Sequence, residues 1–434
     1  MNYRRIISKL AVLLLVGTAA FGQKKPNVIL IMADDLGMEA FGVYGNDDKI
    51  TPNVDKLANE GMRFENAYST PLCTPSRVQL MTGKYNQRNY VGFGILDPKQ
   101  KTFGHYMQEL GYKTCIAGKW QLLGNDKQME LAKGATGSYP QQAGFDKFAV
   151  WQVDKLGSRY KDPTIYTDEK KSVVMKGDYG DEYFTKYIEQ FISDNRNEPF
   201  FVYYPMALTH DPFEPTPFSK DYNKERKVKI DDPAYFKDML RYLDHLVGRI
   251  TKKLDETGIR EETVILFIGD NGTSPQIVSR FKGTNYKGGK GQTIARGTHV
   301  PMIVNWKGKI KPGSVNSSLV DFSDFLPTLL DIGGSSGKKL TVQDGISFFP
   351  QLTGNTTKAR SWVFTHYEPN WGKYVRKTFV HNKDWKVYAT GEIYDLQKDP
   401  DELNALTKAQ LNPAVRQTIT DFEKVIAEKM SKTN

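Results

Sequence analysis

The sequence predicts an α/β fold: a large mixed, mostly parallel central sheet flanked by helices, then a smaller antiparallel sheet with one closing helix. Three observations predict it. Two short continuous apolar runs, Asn27 to Ala33 (NVILIMA) and Thr263 to Ile268 (TVILFI), read as strands buried on both faces. Between them, strand-like and helical patterns alternate, as expected of a parallel sheet covered on both sides. After about Asn355 the texture changes to short alternating segments, the pattern of a half-exposed antiparallel sheet.

The chain has 434 residues, 39% of them hydrophobic and 12% aromatic, enough for a sizeable core and far from the composition of a disordered chain. Mean hydropathy is −0.53, which excludes a protein of many membrane spans. Residues 1–22 read as an export signal: Arg4, Arg5 and Lys9, an apolar run from Leu10 to Phe21, and small residues at Ala20 and Gly22. That run is too short for stable membrane insertion, and no cysteine follows it to carry a lipid. Export to the periplasm or medium is expected, with a bacterial source favoured by the two cysteines and the short signal. Loss of three basic residues from the full chain's +10 leaves a mature charge of about +7. A polyanionic partner suits that charge, but Lys and Arg are dispersed, which argues against nucleic acid.

The elements follow in order. The first strand ends in Asp34 and Asp35, and its downstream twin is followed by Gly269, Asp270, Asn271 and Gly272. Ligands of open α/β sheets sit at the carboxyl ends of strands, so both groups are expected at one site. An amphipathic helix carrying Phe184, Tyr187, Ile188 and Phe191 precedes a strand from Phe200 to Tyr204. Then LTHDPFEPTP, Leu208 to Pro217, holds His210 in a loop that three prolines keep from becoming helical. An exposed histidine there would titrate near neutrality and could protonate a leaving oxygen. Pro233 to about Leu254 is helical, with apolar residues recurring mostly every three or four positions. Tyr374 to Val380 and Trp385 to Ala389 read as strands of the second sheet, and Pro413 to Met430 as its helix. No repeat is present, and no feature prescribes an oligomeric state.

The segment PLCTPSRVQLMTGK, Pro71 to Lys84, is the most informative. Cys73 precedes a helical stretch with Arg77 one turn on, and both features favour an anion at the cysteine. Taken alone, Cys73 reads equally well as a small buried residue, and a Cys73–Cys115 disulfide is open on counting. Asp34, Asp35, Asp270 and Asn271 offer only hard oxygen ligands, which suits Ca²⁺ or Mg²⁺ and argues against zinc. Two adjacent acids by themselves are more often a solvated turn.

CxPSRxxxxTG resembles the signature of the formylglycine-dependent (type I) sulfatases, arylsulfatase-like members of the alkaline phosphatase superfamily. The similarity extends through PNVILIMADDLG, TPNVDKLANEGMRFENAYS, GYKTCIAGKW, HDPF, GDNG, KGQTIARGTHVP and IYDLQKDPDELNAL. The resemblance implies a catalytic domain over 23–355, a C-terminal α+β subdomain over 356–434, and hydrolysis of sulfate esters, with a sulfated sugar or glycan as substrate. It implies that a maturation enzyme oxidises Cys73 to formylglycine, and that Asp34, Asp35, Asp270, Asn271 and the modified Cys73 hold calcium, favoured over magnesium. Arg77 would hold the formylglycine hydroxyls, Lys119 and Lys290 would contact sulfate, and His210 would serve as leaving-group acid. A formylglycine hydroxyl would attack sulfur, and a covalent sulfate hemiacetal would then expel sulfate. The pattern breaks at Gln121, where many members have a histidine near the nucleophile. Glutamine donates a hydrogen bond but exchanges no proton near neutrality. Either another base acts or the hemiacetal collapses with the metal and Lys119 alone. His299, in GTHVP, stands where arginine is common and reads as a supporting residue or one tied into a strand start. Trp120, Trp151, Tyr367 and Trp371 are candidates for stacking on sugar rings or for core. The alternatives are a phosphoester hydrolase of the same superfamily, disfavoured by the oxygen-only ligands and CTPSR, and a sulfated-glycan binder without turnover, left open by Gln121.

Overall fold

A computed structural model describes residues 24–224, 230–335, 343–355 and 359–432; the expected export signal lies outside the described residues. The strands in chain order are β1 (Asn27–Ala33), β2 (Met62–Tyr68), β3 (Lys113–Lys119), β4 (Lys147–Trp151), β5 (Thr164–Thr167), β6 (Ser172–Val174), β7 (Phe200–Pro205), β8 (Thr263–Gly269), β9 (Val278–Phe281), β10 (Thr284–Lys287), β11 (His299–Asn305), β12 (Ser314–Asp321), β13 (Val363–Tyr367), β14 (Lys377–His381), β15 (Trp385–Tyr388) and β16 (Ile393–Asp395). Ten of them form one sheet in the order β12-β2-β11-β8-β1-β7-β3-β4-β5-β6. The centre, β8-β1-β7-β3-β4, is wholly parallel, and only β11 and β5 run against the rest. The mixed, mostly parallel sheet agrees with the sequence reading.

All seven residues of β1 are buried, as are all seven of β8, because helices cover both faces. Ile29, Ile31 and Ala33 face the helices Gly180–Asp194 and Phe236–Glu256, whereas Val28, Leu30 and Met32 face Cys73–Thr82, Phe103–Glu109 and Phe325–Ile332. Each such aliphatic side chain contributes ~1.5–3 kcal/mol of burial. The helix expected from Pro233 begins instead with a single 3-10 turn, Pro233–Tyr235, capped by the Asp232 side chain, before α-helix from Phe236. Proline at the first turn lacks an N–H that no partner would have met.

The second sheet, β13-β14-β15-β16, is antiparallel throughout, and the helix Pro413–Met430 packs Ile419, Phe422 and Ile426 against its Phe364, Val380 and Val387. The expected strand from Tyr374 starts three residues later, at Lys377. Trp120 and Trp151 are core residues, each 1% exposed, and offer no face to a sugar. No helix among the described residues is long and apolar enough to cross a membrane.

Candidate active site

The sheet delivers chemistry at one edge. β1 ends into Asp34 and Asp35, β8 into Asp270 and Asn271, β3 ends on Lys119, β7 leads to His210, and β2 leads to the helix that starts at Cys73. All five strands run the same way, so their carboxyl ends meet. Local backbone makes this possible. Gly118 has φ +136°, and a Cβ there would stand 2.0 Å from the Pro205 carbonyl oxygen. Only glycine lets β3 pass β7 so closely and present Lys119. In GDNG, a Cβ on Gly272 would meet the Arg296 carbonyl oxygen at 1.9 Å, which explains that glycine. Asp35 and Gln121 both hold left-handed backbone, φ +58° and +51°, a conformation that non-glycine residues adopt at a cost.

Six charged residues form a lattice that is buried or nearly so. Lys119 Nζ donates to Asp34 Oδ2 at 2.6 Å, with both side chains wholly buried. Arg77 donates from Nε and Nη2 to Asp270 Oδ2 at 3.2 and 3.0 Å, from Nη1 to the Lys119 carbonyl at 3.2 Å, and lies 3.5 Å from Asp34 Oδ1. Lys290 Nζ donates to Asp35 Oδ2 at 2.6 Å and sits 3.0 Å from His210 Nε2. Burial raises Asp34, but the Lys119 and Arg77 charges more than offset it and hold the carboxyl well below its usual range. Burial and then the Asp34 charge push Asp270 up, and Arg77, in contact with its Oδ2, pulls it back down. Burial lowers Lys290, and Asp35 reverses that and holds the ammonium charged.

Cys73, 2% exposed, is the first residue of its helix, and the charges of Lys119, Asp34, Lys290 and Asp270 all act on it. The helix start and Arg77 were expected to favour an anion here, but burial pushes the thiol up, and Arg77 is engaged by carboxylates. Cys73 and Cys115 are both free thiols. Around Cys73 lie Leu72, Phe93 and Tyr367, flanked by the part-buried Trp371 and Tyr374, with Trp371 stacked on Phe93 at 4.9 Å.

His210 is not the exposed group the loop suggested; its side chain is 16% exposed. Burial and then Lys290 lower its pKa, so the imidazole is neutral, with Nδ1 donating to the Asp211 carboxylate at 2.5 Å and to the Asp211 carbonyl at 2.7 Å. The loop is held from outside. The Tyr160 hydroxyl lies 2.8 Å from the Ala207 carbonyl and 2.6 Å from that of His210, and Asp181 Oδ1 accepts from Ala207 N–H. Asp211 stood inside the quoted HDPF motif without a role assigned to it, whereas Tyr160 carries no sequence signal. His299 opens β11, lies 2.7 Å through Nε2 from the Glu65 carbonyl and stacks on Tyr68 at 4.8 Å, a strand-start residue. Gln121 follows β3 and, with Gln152 and Asp154 beyond β4, lines a cleft of about 540 Å³.

The residues fit a hard divalent cation. Asn271 Oδ1 is buried with no hydrogen-bond partner, and Asp34 Oδ1 has none beyond its long Arg77 contact. Ligand atoms of Asp34, Asp35 and His210 lie within 4.8 Å of one another. Three carboxylates, Asp34, Asp35 and Asp270, are matched by Arg77, Lys119 and Lys290, so an added dication would make the site positive and attractive to an anion.

Known proteins resemble this chain in sequence and in fold. The profile of the family described as Sulfatase matches residues 26–335, and that of N-sulphoglucosamine sulphohydrolase, C-terminal, matches 293–431. Arylsulfatase A of Homo sapiens is 29% identical over 87% of this chain and 83% of its own. N-acetylgalactosamine-6-sulfatase of Canis lupus familiaris is 28% identical over 86% of this chain and 75% of its own. The crystal structure of PsFucS1 sulfatase from Pseudoalteromonas sp. superposes with a TM-score of 0.75 at 25% identity, covering 94% of this chain and 91% of that one. The buried lattice of carboxylates and cations at the strand ends thus sits in a chain that belongs to the sulfatase family, a sulfuric ester hydrolase.

Proposed function

We propose that the chain is an exported enzyme that hydrolyses O-sulfate esters of sugars or glycans, with Cys73 matured to formylglycine by a separate enzyme. The observation that carries this reading is the convergence of Asp34, Lys119, Asp270 and Lys290 on a buried thiol unsuited to act as a thiolate. Oxidised to formylglycine, residue 73 would supply an oxygen nucleophile where the thiol has none. Asp34, Asp35, Asp270 and Asn271, with residue 73, would hold Ca²⁺, which neutralises charge on sulfate and nucleophile oxygens.

The chain's own residues do the rest. Each lysine ammonium has three donors; Lys119 spends one on Asp34, and Lys290 spends donors on Asp35 and His210. The remainder serve the sulfate oxygens, on which charge builds as sulfur is attacked. Arg77, fixed by Asp270 and the Lys119 carbonyl, orients the carboxylates. Burial and then Lys290 hold the His210 pKa down; an anion against Lys290 relieves the second of these, so the imidazole can take a proton from solvent and give it to the departing sugar oxygen. Asp211 on Nδ1 stabilises the charged ring. The sugar preference is supported by the names of the relatives, by the part-buried Trp371 and Tyr374 beside Cys73, and by the polar cleft at Gln121 and Gln152.

The test is the mass of the tryptic peptide Phe64–Arg77 from protein made in its native host. Replacement of sulfur and two hydrogens by one oxygen is expected, followed by sulfate release from a panel of sulfated sugars. An intact thiol in catalytically active protein would overturn the formylglycine reading.

A further inference from the structure

Lys290 lies on the loop between β10 and β11, three residues past the small β9-β10 hairpin and not at a strand end of the central sheet. On the inner side, Lys290 N–H donates to the Thr273 carbonyl and Gly291 N–H to that of Pro71. The outer side is gripped by the C-terminal sheet. Lys386, on β15, donates from Nζ to the Thr293 carbonyl at 2.6 Å and to Glu402 Oε1 at 2.7 Å. The Tyr388 hydroxyl lies 2.8 Å from Thr293 Oγ1 and also bonds Glu402 Oε2. One helical turn on, Arg296 pairs with both oxygens of Asp401, at 2.7 and 2.8 Å.

The Lys386–Glu402 pair is 3% and 5% exposed, and its ammonium stands 3.8 Å above the Phe379 ring. Desolvating such a pair costs about as much as its attraction returns, so net stability does not account for it. What the pair does supply is direction: Lys386, held by Glu402, donates to the Thr293 carbonyl and so fixes one point of the Lys290 loop. The DPDE run at residues 399–402, part of the sequence resemblance and otherwise without a role, puts two adjacent carboxylates onto that loop three and six residues beyond Lys290.

We infer that Asp401 and Glu402 are positioning residues that set the reach of Lys290 toward sulfate, Glu402 through Lys386 and Asp401 through Arg296. This rests on the reading that Lys290 contacts sulfate. A displacement on the order of 1 Å in such a group lowers turnover by up to about a hundredfold.

The experiment is a double-mutant cycle on full-length matured protein, reading kcat, KM for nitrophenyl sulfate and competitive inhibition by inorganic sulfate. Asp401→Asn is chosen because its pair is part-exposed and the variant should fold; Lys386→Met is the second variant. Each should raise the sulfate inhibition constant about fivefold to thirtyfold in wild type, yet change it less than about twofold in a Lys290→Ala background. Phe422→Leu, in the core of the C-terminal sheet, should lower Tm without moving the inhibition constant. Unchanged inhibition in both clamp variants, or equal changes with and without Lys290, overturns the inference. Wild-type protein that neither hydrolyses the ester nor is inhibited by sulfate would instead overturn the reading of the site, and this inference with it.

Discussion

The two halves of the candidate site are built differently. Asp34, Lys119 and Asp270 stand on or just past β1, β3 and β8, and strand register alone fixes where they lie. His210 and Lys290 stand on loops, part-buried, and are held by residues that come from elsewhere: Tyr160 and Asp181 for one, the C-terminal sheet for the other. The strand-end half is rigid because moving it means breaking the sheet. The loop half is only as precise as its anchors, which makes it the half where reach and specificity can be adjusted without disturbing the core.

Predictions that separate the halves run from large to small. Cys73→Ala should abolish turnover, by about a thousandfold or more, while leaving Tm nearly unchanged, since the lost group is small; retained sulfate release would break the nucleophile assignment. Arg77→Met should cost about 3–5 kcal/mol of stability in denaturant titration as well as activity, because it leaves the buried Asp270 without its cation and Asp34 with Lys119 alone. His210→Gln should be the reverse, with little change in stability and a loss of about a hundredfold or more on a sugar sulfate, less on nitrophenyl sulfate, whose leaving group needs no proton. Because burial and Lys290 lower His210 in the free enzyme, kcat/KM should fall as pH rises through a value below the ordinary histidine range. The corresponding limb in kcat should lie at higher pH, and both limbs should vanish in His210→Gln. Tyr160→Phe should cost about 0.5–1.5 kcal/mol and a several-fold loss of turnover, read against sulfate inhibition that stays constant. Gln121→His should alter the pH profile of turnover more than KM; identical profiles would show no proton role at that position.

The strand-end half was legible in the sequence for the same reason that it is rigid. A continuous apolar run ending in acids, found twice, says both that the strands are central and that the acids share an edge. The loop half was legible only in its tips. His210 was read as exposed because nothing local announces Tyr160, fifty residues upstream, or the Lys290 ammonium that faces the imidazole. An anion was expected to be favoured at Cys73 because spacing showed Arg77 nearby, but not that two carboxylates already hold that arginine. Trp120 and Trp151 could not be told from sugar-stacking residues because a tryptophan after a strand suits either role. The Lys386 and Glu402 link to Thr293 joins residues about a hundred positions apart and leaves no periodic mark.

The sheet order also sets when the site can exist. β1, which supplies Asp34 and Asp35, pairs only with β7 and β8, so Val28 meets Phe201 and Asn27 meets Thr263. As the chain emerges from its ribosome, the first strand waits for about 170 further residues before β7 covers one edge, and for well over two hundred before β8 covers the other. Contacts so distant in sequence form slowly, and an apolar strand with open edges is meanwhile a template for wrong pairing. For this protein, yield on expression should depend on how well that early segment is kept apart from other chains until β8 arrives.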